Sequence, residues 1–310
     1  MKYLSLLFLM GVIPFLLTAE IVRKDADSIT YRQPDQQEIK VRKHPRRVVV
    51  GYGSLAKVWD LAGGAAVAVP GVAEKSALPE RMRELPVIGS ATVPNTEKVM
   101  AMKPDLVLLI GKMERHRSIA ELLRGAGIDA VCVEYNNYGD FNDILDFFCR
   151  LNGKTVRDVS AARRVQEDVE SICAKTMGLT PSSCAIIFAS SAGFSLESPE
   201  TNTGMMAEKL GGRNIMKDKG RSRIHFSYER LLLDNPDAIF VITMGDAQAL
   251  REKFEKEFTA QPAWNELKAA QKKRVHFLPV EWFLYMPGPD YPKAFRHLAE
   301  LLYPGASFGK

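Results

Sequence analysis

Two glutamates occupy matched positions in two matched stretches of this chain. Glu97 stands two residues after Asn95 and seven before Pro104-Asp105; Glu229 stands two after Ser227 and seven before Pro236-Asp237, with every equivalent pair 132 residues apart. A carboxylate just inside a helix N-terminus is favoured by the helix dipole and, if exposed, can pair bidentately with a partner's arginine. A second set of residues follows apolar strands. In the first half it comprises Tyr52, Ser90, the loop carrying Lys112, Arg115, His116 and Arg117, and Tyr135. In the second half it comprises Ser190 with Ser191, then Arg221, Arg223 and His225, then Trp282 and Tyr285. Aromatic rings and guanidinium groups gathered at strand ends suit a large, flat or anionic ligand, because guanidinium both pairs with carboxylates and stacks on rings. Nothing in either set demands catalysis. The run Ser190-Ser191-Ala192-Gly193 is not a G-x-S-x-G elbow and has no assignable base, and Asp140 with Asp143 reads as a solvated helix start.

The elements that must carry these residues are legible. Asn95 and Ser227 can cap a first helical turn, and proline ends each helix seven residues past its glutamate, since it lacks an amide donor and disfavours helix before it. The apolar runs 106–110 and 238–242 suit parallel strands covered on both faces. One α/β unit therefore occurs twice. Around the first copy, 47–50 reads as a strand leading into Gly51-Tyr52-Gly53-Ser54 and a helix stopped by Gly63-Gly64; a further strand and helix follow near Cys132 and over 140–151. Around the second copy, strands fall at 185–189 and 274–278, with a last helix over 291–303. Between the copies, 154–177 lacks proline and glycine and repeats apolar residues at helical spacing. Read as one helix it would run about 36 Å at 1.5 Å per residue. The expected fold is α/β: two Rossmann-like lobes with parallel central sheets, joined by a single long backbone helix.

Length and composition agree with two cores. The chain has 310 residues, 46% hydrophobic. Lys2, an apolar stretch over 3–17 and Thr18-Ala19 read as a cleaved secretory signal at 1–19, with an uncleaved anchor as the alternative because Leu17 is large for the cleavage site. Its removal lowers the formal net charge of +5 by one. Residues 20–45 are polar, crowded with Arg23, Lys24, Lys40, Arg42 and Lys43, and read as a partly ordered, solvated extension. Arg46 and Arg47 continue the run, but no aromatic-interleaved groove or nucleic-acid motif accompanies it. Cys132, Cys149, Cys173 and Cys184 show no metal-ligand spacing; they permit disulfides or buried thiols. The expected division is 1–19 signal, 20–45 extension, 46–152 first lobe, 153–178 linking helix and 179–310 second lobe.

In order and spacing, several short motifs resemble one family. They are Arg47-Val48-Val49-Val50 with Gly63-Gly64, Leu85-Pro86-Val87-Ile88-Gly89 before Pro94-Asn95-Thr96-Glu97, Lys103-Pro104-Asp105, Ala126-Gly127-Ile128-Asp129, Leu210-Gly211-Gly212 and Pro262-Ala263-Trp264. The chain is similar, over roughly residues 46–305, to the helical-backbone (class III) periplasmic substrate-binding proteins of ABC importers for iron-siderophore, haem and cobalamin. That resemblance implies a non-enzymatic, monomeric binding protein of the periplasm that needs no cofactor. Its partners would be an iron chelate held between the lobes and a permease in the inner membrane, with no nucleic acid. Glu97 and Glu229 match the family's permease-docking glutamates. If the ligand is haem, Tyr52, Tyr135, His116 or His225 could ligate its iron axially. His44, His276 and His297 form no metal triad by spacing. Cobalamin or an oxoanion remains open as the ligand. A remote rival is an exported NAD-dependent oxidoreductase, since Gly51, Gly53 and Ala56 satisfy G-x-G-x-x-G/A; the acidic residue due after the second strand is missing, its place taken by Pro70-Gly71.

Overall fold

The computed structural model describes residues 19–218 and 220–309, so all but the last residue of the expected signal lies outside it. The chain begins with strands β1 (Glu20–Lys24), β2 (Ser28–Arg32) and β3 (Glu38–Arg42). The first lobe runs β4 (Val48–Val50), α1 (Gly53–Leu61), β5 (Val69–Gly71), β6 (Val87–Ser90), α2 (Thr96–Ala101), β7 (Leu106–Ile110), α3 (Glu114–Gly125), β8 (Asp129–Val133) and α4 (Tyr138–Leu151). Helix α5 (Ser160–Thr176) connects the lobes. The second lobe runs β9 (Ser183–Ser190), β10 (Gly193–Glu197), α6 (Asn202–Lys209), β11 (Arg213–Asn214), β12 (Arg223–His225), α7 (Tyr228–Asp234), β13 (Ala238–Met244), α8 (Ala247–Phe254), α9 (Lys268–Gln271), β14 (Val275–Phe277), α10 (Val280–Phe283) and α11 (Tyr291–Leu302).

Both central sheets are built on parallel strands. In the first lobe β4, β7 and β8 pair in parallel, as do β5 and β6, and a parallel bridge between Val49 and Ala68 joins the two sets. In the second, β9, β13 and β14 are parallel, while β10 folds back antiparallel on β9 and carries β12 on its outer edge. The apolar strands are buried on both faces, as covered parallel strands must be.

The repeated motif does the same structural work twice. Asn95 Oδ1 accepts the Lys98 amide at 2.9 Å, and Ser227 Oγ accepts the Arg230 amide at 3.2 Å, so each capping residue opens its helix. The Asp105 carboxylate accepts the amides of Arg46 at 2.7 Å and Arg47 at 2.8 Å. The Asp237 carboxylate accepts the Ser183 amide at 2.9 Å and hydroxyl at 2.7 Å. Each aspartate thereby clasps the entrance to the neighbouring strand of its own lobe, β4 or β9.

Two expectations need correction. Residues 20–45 are not a loose tail: β1, β2 and β3 form an antiparallel meander whose Ile29, Tyr31 and Val41 are buried in the main core. Tyr31 stacks on Phe147 at 4.3 Å, and Gln33 Oε1 accepts the Cys132 amide at 2.7 Å, satisfying a group on the edge of β8. The basic residues there are engaged as well: Arg42 pairs with Asp129 at 3.2 Å and Arg47 Nη2 donates to the Met102 carbonyl at 2.6 Å. The linking helix is shorter than its periodicity suggests. Thr155 and Asp158 form a capping box around a single 3-10 turn, Val159 is extended, and the α-helix starts at Ser160. Seventeen residues give it a length of about 25 Å. Of the two states left open for the cysteines the structure takes the thiol: all four are free, with Cys132, Cys149 and Cys184 buried.

The core does not stop at the lobe boundary. Tyr138 on α4 meets Tyr291 and Phe295 on α11 edge-on, at ring separations of 4.8 and 5.2 Å, and Phe141 lies 4.9 Å from Tyr291. These rings join both lobes and α5 in one hydrophobic cluster.

Candidate ligand-binding cleft

The groove expected between the lobes lies outside the carboxyl ends of the parallel strands. On the first lobe β4 delivers Tyr52, which caps α1, and on the second β14 leads through α10 to Tyr285. Burial, and secondarily Tyr285, hold the Tyr52 phenol above its usual pKa. Nearby, Gly288 sits against α1: a β-carbon there would stand 3.2 Å from Lys57 Cβ. Strands β9 and β13 end at Ser190 and Met244, which are register partners. The hairpin into β10 and the return of β12 bring His225 to the same end, opposite Ser195.

The residues singled out from sequence separate into distinct environments. His116 is fully buried; its Nδ1 accepts the Ile110 amide at 3.1 Å and its Nε2 faces the Ala91 carbonyl at 2.9 Å. That pattern assigns the neutral tautomer protonated at Nε2, and burial lowers its pKa with the Ala91 bond opposing. Both nitrogens are therefore occupied, and His116 is a tie between β7, α3 and the 90–94 loop, not an axial ligand. Tyr135 is likewise removed from the wall: it is buried beside Gly288 and Tyr291, and burial pushes its pKa up. Arg223 is committed within its own lobe, donating from Nε at 2.9 Å and Nη2 at 2.6 Å to the buried Glu197 while its guanidinium lies 3.6 Å from the Phe188 ring centre. Arg117 Nη1 donates to the Gly111 carbonyl at 2.5 Å, and Ser90 Oγ accepts the Val93 amide at 3.0 Å, so both shape loops. Ser190 is buried, with its hydroxyl directed at the Gly193 carbonyl. Trp282 is half-buried, edge-on to His297. Lys112, Arg115, Ser191, Arg221 and His225 are exposed.

One rim residue escaped the sequence reading. Met244 is 50% exposed at the end of a strand whose first six residues are buried. The apolar run reads as ending at Ile242, but β13 continues two residues further and carries this thioether to the rim. His225 also borders a hollow of ≈ 460 Å³ walled by Phe194, Phe226, Tyr228 and Phe258; it belongs to the second lobe alone. Among the described residues no cluster of three or more His, Cys, Asp or Glu could hold a bare metal ion.

Glu97 and Glu229 are both exposed in the first turns of α2 and α7. Those helices follow the carboxyl ends of β6 and β12, so both glutamates stand on the strand-carboxyl side of their lobes.

Residues 48–281 match the family described as periplasmic binding protein. The chain belongs to that family. This binding protein is 25% identical over 233 residues to the high-affinity heme uptake system protein IsdE of Staphylococcus aureus strain MRSA252, an alignment covering 73% of this chain and 77% of IsdE. Its fold matches an ABC transporter substrate-binding protein from Listeria monocytogenes EGD-e with a TM-score of 0.73 at 20% identity, covering 84% of this chain and 99% of the other. It also matches the periplasmic vitamin B12 binding protein BtuF of Vibrio cholerae with a TM-score of 0.66 at 20% identity, covering 83% and 96%. The family consists of non-enzymatic substrate-binding proteins of ABC importers, which removes the dinucleotide reading of Gly51. That glycine has a packing reason instead: a β-carbon there would lie 2.6 Å from Leu109 Cδ2. No helix among the described residues is long and apolar enough to cross a membrane.

Proposed function

We propose that this binding protein captures an iron chelate, with haem as the first choice over a ferric siderophore, between its lobes and delivers it to an ABC permease of the inner membrane. The protein acts in the periplasm after removal of a signal at 1–19. The observation that carries the reading is the contact of Gly288 with Lys57 of α1, where a β-carbon would stand 3.2 Å from Lys57 Cβ: it brings the second-lobe segment that carries Tyr285 against the first-lobe helix that Tyr52 opens. Two aromatic faces from two lobes suit a flat conjugated ligand. Around them stand the exposed cations Lys112, Arg115 and Arg221, suited to ligand carboxylates, and the donors His225 and Met244, suited to iron. The likeness to a protein named for heme uptake points the same way. Delivery rests on Glu97 and Glu229, exposed carboxylates that pair with arginines of the permease.

The test is an absorbance titration with haemin, run beside thermal-shift measurements with ferric siderophores and cobalamin. Haemin should give a saturable Soret shift, and His225→Ala should change the Soret position and weaken binding about tenfold, the equivalent of one lost ligand contact. No Soret shift, together with stabilisation by cobalamin alone, would replace haem by cobalamin.

A further inference from the structure

Nine large apolar side chains stand exposed among the described residues, and they are not scattered evenly. Met244 and Tyr285 belong to the groove. Of the remaining seven, four flank the two repeated glutamates. Met100, 47% exposed, follows Glu97 by three positions and shares its face of α2; Leu233, 84% exposed, follows Glu229 by four and shares its face of α7. On the same helices Val99 and Leu231 are fully buried, so each helix spends one apolar side chain on the core and leaves another outside. In the first lobe the patch is wider. The Asn95 amide donates to the Ile88 carbonyl at 2.6 Å and Gly89 bridges Pro94, which lays β6 alongside the start of α2; Val87 on β6 and Val93 just before α2 are 51% and 54% exposed. Among the described residues no lysine or arginine forms an ion pair with Glu97 or Glu229.

From this arrangement we infer that each glutamate is the charged centre of an apolar docking patch, with Met100 in the first lobe and Leu233 in the second as the contacts that a permease buries. The inference rests on the permease reading above and adds to it. An unpaired carboxylate beside an exposed apolar side chain is complementary to a basic residue beside an apolar hollow, and the duplication asks for that combination twice, on two equivalent faces of the partner. Charge gives orientation and encounter rate, while the dehydrated apolar contact lengthens the lifetime of the complex.

The experiment measures binding of the ligand-free protein to its permease–ATPase complex in lipid nanodiscs, with empty nanodiscs of the same lipid as a parallel arm. Four single variants are compared: Met100→Asp and Leu233→Asp in the patches, and Leu122→Asp and Met177→Asp at exposed apolar positions elsewhere, 62% and 75% exposed. Because all four side chains face solvent, thermal unfolding should be unchanged and serves as the folding control. Each patch variant should weaken binding about tenfold through faster dissociation, and the two elsewhere should bind as wild type. The double variant Glu97→Arg, Glu229→Arg separates the two levels. If it abolishes binding while Met100→Asp and Leu233→Asp bind normally, the apolar patches are refuted and the docking glutamates stand. If it too binds normally, the permease reading fails with them. Equal weakening by all four apolar variants, or equal capture by empty nanodiscs, would also overturn the proposal.

Discussion

At the scale of single residues, similar side chains carry opposite duties, and local hydrogen bonding decides which. Asp105 and Asp237 recur by sequence, and each works as a clasp on the first strand of its lobe; at Asp237 burial raises the carboxyl pKa, but the two Ser183 bonds together with Lys268 and Lys272 bring it below the usual value. Asp140 goes the other way. Burial pushes its pKa up to about 6, the Asn136 amide opposing and Glu134 and Asp143 adding to the rise. A carboxyl whose folded pKa exceeds its unfolded one binds its proton more tightly when folded, so its stabilising share is complete below the unfolded value near 3.8 and is lost as pH rises through about 6. Urea unfolding at pH 4.5 and pH 7 should therefore show a loss of stability with rising pH that is smaller in Asp140→Asn. An unchanged pH dependence would mean that Asp140 ionises freely. The same contrast separates the histidines: His116 lies in the helix after β7 and His225 closes the short strand β12, yet only the structure reveals that one has both nitrogens occupied and the other is open to solvent.

Among the elements, the capped helices α2 and α7 were the most legible, because capping, dipole and proline effects act within a few residues of sequence. The meander at 20–42 was the least. Its burial depends on Phe147, 116 residues from Tyr31, and on Cys132, 99 from Gln33, and its own run of charges around Pro34 reads as loop. Tyr31 tests its status. With that ring 2% exposed and stacked on Phe147, Tyr31→Ala should cost about 3 kcal/mol of unfolding free energy, in the range for deleting a buried aromatic. A solvated tail would register no change. The linking helix taught a related lesson. Periodicity over 154–177 is real, but the Thr155 and Asp158 side chains give the backbone an alternative to helix, and the helix proper begins only after that turn.

For the whole molecule, the aromatic contacts of Tyr138, Phe141, Tyr291 and Phe295 make the lobes one packed body rather than two bodies on a string. Closure on a ligand must then be small, since a packed apolar interface resists sliding. X-ray scattering with and without saturating haemin should show nearly superimposable profiles; a large domain rotation would contradict the packed interface. The sequence by itself determined the duplicated α/β unit, the capping of both glutamate helices, the parallel strands and the family resemblance, because these follow from short-range rules of capping, proline geometry and apolar periodicity. Only the tertiary structure decided which strand-end residues reach the groove. It retired His116 and Tyr135 to the interior, tied Arg223 to Glu197, brought Met244 to the rim and set exposed apolar side chains beside Glu97 and Glu229. Those outcomes depend on partners distant in the chain and on which side of a sheet each residue faces, and neither is written in local spacing.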